Sequence, residues 1–173
     1  KEEGTAIKLA TDLIDNFQNI YENKWLNMMR DKLGLFGSEK NDKKLINDLL
    51  DWMKKNKADY TNTFCHLMDI NYNEEIYKKD QFLNWKKDWK KRSELNNLNK
   101  NKQVALMKKN NPQIIPRNHI VEEVLIEADN GNIQDMKRLL DILNKPYIDQ
   151  KNITKYHLPV ATLNTNYKTF CGT

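Results

Sequence analysis

Apolar residues recur at intervals of three and four along most of the chain. In its first fifth, Ala6, Ala10, Leu13, Ile14, Phe17, Ile20, Tyr21, Trp25, Met28, Met29 and Leu33 keep that spacing, which predicts one long helix burying a single face, ended by Gly34. Leu45, Ile46, Leu49, Leu50 and Met53 predict a second helix from about Asp42, with Asn41 and Asp42 placed to cap its first turn. A third is expected from Tyr60 to Met68 behind an Asp59 cap, with Tyr60, Phe64, Leu67 and Met68 on one face. The fourth spans about Asp80 to Leu95. At about 100° per residue, Phe82 and Trp89 fall within about 60° of Trp85, while Lys87, Lys90 and Lys91 fall on the far side. A shorter helix covers Lys100 to Lys109 around Val104, Ala105 and Met107, and Asn110-Asn111-Pro112 breaks it.

The clearest local unit is a helical hairpin. Ile120, Val121, Val124, Leu125 and Ala128 form one stripe, and Met136, Leu139, Leu140 and Leu143 form another. Between them Gly131 suits the left-handed position after a helix, and Asn132 with Asp135 reads as a cap and a first-turn acid. Lys145-Pro146 stops the second helix, and periodicity ends at Tyr147. The pattern therefore predicts an all-α fold of six or seven helices over residues 1–147, followed by an irregular, extended tail over 148–173. Leu140→Ala, as the loss of a core side chain, is expected to cost about 2 to 5 kcal/mol.

Composition narrows the function classes. A chain of 173 residues, 39% hydrophobic and 31% charged, suits one folded domain and neither a membrane bundle nor a disordered tail. Its five glycines form no phosphate-cradling loop, which excludes a self-contained Rossmann, P-loop or kinase site. Lys1-Glu2-Glu3-Gly4 has neither an initiator Met nor an apolar signal segment, so the chain is expected to begin partway through a longer protein. Two cysteines point to a reducing cytosol.

The formal charge of +5 is concentrated between Lys78 and Lys109, and only four of the 29 basic residues are Arg: Arg30, Arg92, Arg117 and Arg138. Nucleic-acid readers favour the forked guanidinium, so this excess fits a Lys- and Asn-rich proteome, as of an AT-rich bacterial genome, better than a binding face. Trp85 and Trp89 beside lysines could stack bases, although their spacing matches a buried stripe equally well and core packing is the preferred reading.

Candidate chemistry is sparse. His119, Glu122 and Glu123 share a helix face, as acid–base or metal groups would, but no second His lies one turn away, and a solvated pairing of His119 with Glu123 is expected. Asp59, Asp69, Glu74 and Glu75 read as caps and solvated faces. Cys65, between Phe64 and His66, reads as a small buried hydrophobe. Cys171 sits on an unpatterned segment beside Phe170 and Gly172, where an idle thiol and a reactive one are both open.

Several segments, taken in order, resemble the C-terminal region of the selenoprotein O family. They are Arg30-Asp31-Lys32-Leu33-Gly34-Leu35, Asp59-Tyr60-Thr61-Asn62-Thr63-Phe64, Asn111-Pro112 with Ile115-Pro116-Arg117-Asn118-His119, Asn144-Lys145-Pro146-Tyr147, and Tyr167-Lys168-Thr169-Phe170-Cys171-Gly172-Thr173. The resemblance implies a kinase-like, pseudokinase-type protein that transfers AMP from ATP to Ser, Thr or Tyr hydroxyls of other proteins. It places ATP and Mg²⁺ or Mn²⁺ in a kinase-like region preceding this segment, so no catalytic, cofactor-binding or metal-binding residue is carried onto this chain, which is expected to be inactive alone. Its implied partners are that kinase-like region and the protein substrates, with no nucleic acid and no membrane, in a bacterial cytoplasm. Cys171 stands where the family has an antepenultimate Cys or selenocysteine associated with redox control, which implies a reversible disulfide with the kinase-like region. Arg117 and Asn118 follow Pro116 at the entry to a helix, where Asn118 is expected as N-cap and Arg117 as an anchor for a carboxylate or carbonyl. The rival readings are a helical protein-interaction module without catalysis and a basic nucleic-acid-binding domain.

Overall fold

The computed structural model describes residues 2–68, 70, 75–95 and 99–159. It is helical throughout: α1 (Glu2–Lys32), α2 (Asp42–Asn56), α3 (Tyr60–Leu67), a 3-10 turn (Glu75–Lys78), α4 (Asp80–Glu94), α5 (Lys100–Asn110), α6 (Asn118–Asp129), α7 (Gln134–Leu143) and α8 (Thr154–His157). No strand occurs among the described residues, and the expected all-α class is correct. The eighth helix exceeds the expected six or seven. It is a single turn inside the segment read as extended tail, too short to show a period, and it is held by burial of Ile153 and Tyr156.

The first core gathers the end of α1 with α2, α3, α4 and Met107 of α5. Gly34 ends α1 at φ +66°, a left-handed value that costs glycine little. A Cβ there would lie 2.6 Å from Gln103 Cγ and 2.8 Å from Met107 Cγ, so the missing side chain also lets α5 cross α1 closely. Trp85 and Trp89 are buried and stacked, with centroids 6.1 Å apart and planes 7° from parallel. Their indole N–H groups donate to the carbonyls of Leu45 and Leu33, each at 2.9 Å, while Lys87, Lys90 and Lys91 stay exposed. The core reading of the two tryptophans holds.

The second core joins Ile114, the hairpin of α6 and α7, and the α8 turn. Gly131 takes the expected left-handed position, φ +89°, but the cap of α7 falls on Ile133, which makes no side-chain cap bond, rather than on Asn132, whose Oδ1 accepts the Gln134 N–H at 3.2 Å. The hairpin's packing face also departs from expectation. Leu139 and Ile142 are buried, whereas Leu140 is 54% exposed. Leu140 and Ile142 flank the Met136, Leu139 and Leu143 stripe on opposite sides, and α6 with the α8 turn covers the Ile142 side.

The single buried face expected for α1 is also corrected. All residues from Gly4 to Tyr21 are exposed, including Ile7, Leu13, Ile14, Phe17 and Ile20, and only the last third of the helix is packed, through Trp25, Leu26, Met29 and Leu33. At about 100° per residue, the packed face and the exposed stripe are offset by about 120° around the helix. A spacing of three and four tolerates that drift without interruption.

These burials reassign the expected core lesion. Leu139→Ala or Ile142→Ala should lower the free energy of unfolding by about 2 to 5 kcal/mol, and Leu140→Ala by less than about 1 kcal/mol. Urea denaturation measures all three, and a larger loss for Leu140→Ala than for Leu139→Ala would contradict the packing.

Candidate functional site

Pro116 delivers the chain to Arg117 in an extended conformation, φ −82° and ψ 127°, and Arg117 is the N-cap residue of α6. The expected cap, Asn118, is instead the first helical residue and is exposed, because the turn into helix comes one residue earlier. Arg117's carbonyl accepts the Ile120 and Val121 N–H groups at 2.9 Å, and its side chain points away from its own helix. The guanidinium forks onto Asp59, with Nη1 2.8 Å from Oδ2 and Nη2 3.1 Å from Oδ1. It also reaches Asn62 Oδ1 at 3.2 Å and the Tyr156 carbonyl at 3.3 Å.

Asp59 does two things. Its Oδ1 accepts the Asn62 N–H at 2.8 Å, capping α3, while both oxygens take Arg117. Asn62, itself buried, donates from Nδ2 to the His157 carbonyl at 3.1 Å. The starts of α3 and α6 and the α8 turn are thereby tied at one point between the two cores. Burial pushes the Asp59 carboxyl up, but the Arg117 hydrogen bonds, the Asn62 N–H and the Arg117 charge more than offset it and hold it below the usual carboxylate range. At His157 burial lowers the imidazole, the Gln113 backbone hydrogen bond partly restores it, and the Arg117 charge lowers it further, with a net fall.

A second arginine cluster stands at the far side of the first core. Asp42 is completely buried between Arg30, whose Nε lies 2.6 Å from Oδ2, and Arg92, whose Nε lies 2.6 Å from Oδ1. The Glu39 N–H adds a bond of 2.9 Å, and Arg92 Nη2 also reaches the carbonyls of Phe36 at 3.1 Å and Gly37 at 3.4 Å. Asp42 was expected to help cap α2. It binds two guanidinium groups instead, and Asn41 makes no side-chain cap bond. Burial pushes this carboxyl up too, and the bonds to Arg92, the Glu39 N–H and Arg30 outweigh it, leaving it lowered.

Between the clusters, buried Asn111 donates to the carbonyls of Lys32 and Met107, both at 2.8 Å, joining the ends of α1 and α5. Lys32 donates to the Asn110 carbonyl at 3.2 Å, and its ammonium sits 4.8 Å and 5.3 Å from the Phe64 and Tyr60 ring centres.

The other singled-out residues are dispersed. Glu123 pairs with Lys155 of α8 at 2.5 Å, so the expected His119 and Glu123 pair does not form; His119 is half-buried and its Nδ1 lies buried without a hydrogen-bond partner among the described residues. Glu122 is exposed, and Glu75 pairs with Lys78 at 2.6 Å. Cys65 is buried with Sγ 4.0 Å from the Pro112 carbonyl, matching its expected role. Cys171, Asp69 and Glu74 lie outside the described residues. Among the described residues no three His, Cys, Asp or Glu side chains are grouped to hold a metal ion, and no helix is long and apolar enough to cross a membrane.

Reading the sequence for nucleophiles missed Asp42, Asn62, Arg92 and His157. One signal was present. In a chain that uses Lys 25 times and Arg four times, an arginine marks a place where a flexible point charge will not serve, and three of the four arginines clasp carboxylates.

The family model described as protein adenylyltransferase SelO matches residues 5–144, a span that contains the arginines and carboxylates of both clusters. The chain belongs to the SelO family. Among its relatives, a protein nucleotidyltransferase YdiU of Pelagibacter ubique is 48% identical over 172 residues, covering 99% of this chain and 36% of the relative. Proteins of the same description in Bacillus cereus (strain G9842) and Nitrosococcus oceani are each 42% identical, covering 100% and 97% of this chain and 36% and 34% of their own length. The chain thus spans about a third of the length of the SelO-family relatives it matches.

Two predictions test the Arg117 and Asp59 cluster. Arg117→Met strands a buried carboxylate and should cost about 3 to 5 kcal/mol of stability by chemical denaturation, with Arg117→Lys restoring only part because an ammonium cannot fork. Protonation should weaken the fold in two steps. His157 is lowered in the fold, so its contribution is complete above its unfolded value of about 6.5 and declines as pH falls through that region. Asp42 and Asp59 are also lowered, so theirs persists to about pH 4 and is lost below it. Thermal melts across pH should show a first decline that His157→Asn removes and a second that Asp59→Asn reduces.

Proposed function

We propose that the full-length protein is a bacterial, cytoplasmic nucleotidyltransferase that moves AMP from ATP onto Ser, Thr or Tyr hydroxyls of target proteins, and that this chain is its C-terminal helical region. Membership of the SelO family over residues 5–144 carries the reading, supported by relatives described as protein nucleotidyltransferases. In the reaction the target hydroxyl bonds to the α-phosphorus of ATP and pyrophosphate leaves. ATP and Mg²⁺ or Mn²⁺ belong, in this reading, to a kinase-like region outside these residues, and no residue described above is assigned to the chemistry. The helical region acts as a scaffold, three of whose four arginines hold internal carboxylates. Its partners are the kinase-like region and the protein targets; neither nucleic acid nor a membrane enters the reading.

Full-length protein incubated with Mg²⁺ or Mn²⁺ and ATP labelled at the α-phosphorus should transfer label to protein, with a mass gain of one AMP. Transfer from the γ-phosphorus alone would make it a kinase, and no transfer would favour a protein-interaction module. The 173-residue chain by itself should transfer nothing.

Cys171 belongs to the same proposal as a redox residue. Its thiol and that of a cysteine in the kinase-like region lose two protons and two electrons to a disulfide oxidant as one S–S bond forms between them. The burial of Cys65 supports a partner elsewhere. Non-reducing peptide mapping of oxidised full-length protein should find Cys171 in a disulfide that dithiothreitol opens; an oxidised activity unchanged by Cys171→Ser would reject the switch.

A further inference from the structure

The exposed stripe on α1 is the largest feature that the chain's own packing leaves unexplained. Ile7, Leu13, Ile14, Phe17, Ile20 and Tyr21 are each 46% to 73% exposed. Monomeric proteins rarely leave contiguous apolar patches beyond a few hundred Å². At about 100° per residue these side chains fall within an arc of about 140°, the width of an ordinary core-facing stripe. The same helix already supplies Met29 and Leu33 to the first core from a face about 120° away. The stripe therefore does not extend that core. That packed face sets the rotation of the helix, and beside it Glu22 pairs with Lys43 of α2 at 2.9 Å.

We infer that the stripe is the docking face for the part of the full-length protein that lies outside this chain. The inference rests on the proposal that this chain is one region of a longer SelO-family enzyme. Relatives 42% and 48% identical extend to nearly three times the length matched here, and the stripe lies inside the residues that the family model matches. A region of the same polypeptide meets the stripe at an effective concentration in the millimolar range, which a second copy reaches only in concentrated solution. A bilayer is the poorer occupant: surface-bound amphipathic helices carry mainly Lys and Arg opposite the apolar side, whereas here Asp12, Asp15 and Glu22 outnumber Lys8 on that side.

The test places a photo-crosslinking benzoylphenylalanine at Ile14 or Phe17 of the full-length protein, with Asn19 on the opposite face as control. Irradiation should give crosslinks within one molecule to peptides outside these 173 residues, several-fold more from positions 14 and 17 than from 19. Crosslinks between two molecules through the same stripe would replace the inference with a homodimer, and equal labelling from all three positions would show the stripe exposed in the full protein. The outcome is independent of AMP transfer. An inactive protein with intramolecular crosslinks overturns the enzymatic reading alone, and an active protein without them overturns this inference alone.

Discussion

The fork of Arg117 onto Asp59 is the most buried ion pair between the two halves of the helical region among the described residues. Asp59 caps α3 in the first core, Arg117 opens α6 in the second, and the Tyr156 carbonyl brings in the α8 turn. A pair this buried, with side chains 9% and 16% exposed, loses most of its hydration, and its attraction offsets that loss only when the remaining lone pairs and N–H groups also find partners. Asn62 and the Tyr156 carbonyl supply them. The arrangement admits one relative placement of the two cores, since any slide would bury an unpaired charge. Arg30, Asp42 and Arg92 form a second buried cluster where the end of α1, the start of α2 and α4 converge, and there Arg92 Nη1 stays buried without a hydrogen-bond partner among the described residues.

Two apolar cores joined by charge make a body whose internal geometry is set before it meets anything else. α1 has one face committed to that body and another turned outward. A scaffold of this kind can hold a neighbouring region at a fixed angle without contributing a reacting group, which is the part proposed for it in the full-length protein.

Much of this was legible in the spacing of residues. Seven helices, the inward turn of Trp85 and Trp89, the Asp59 cap and the left-handed Gly34 and Gly131 all follow from local rules of period and backbone freedom. What local rules cannot supply is the identity of the covering body. The α1 stripe has the period of a buried face, yet it stays exposed among the described residues, and Leu140 and Ile142 are equivalent by period until α6 and the α8 turn occupy one side. The arginine clusters escaped for a related reason. Asp42 beside Asn41 satisfies every local criterion for a cap, and it is Arg30, 12 residues earlier, and Arg92, 50 residues later, that turn it into an ion-pair partner. Arg117 was readable as an anchor, but its carboxylate, 58 positions earlier, was not.

A double-mutant cycle across Asp59 and Arg117 bears most directly on the claim that this pair joins the two cores. Asp59→Ala, Arg117→Met and the combined variant would be compared with the parent by chemical denaturation of the full-length protein. If the pair acts as one unit, the combined variant should lose scarcely more stability than Arg117→Met alone, with a coupling energy of about 2 kcal/mol or more. Losses that add to within about 0.5 kcal/mol would mean that the two side chains act independently and would contradict the account.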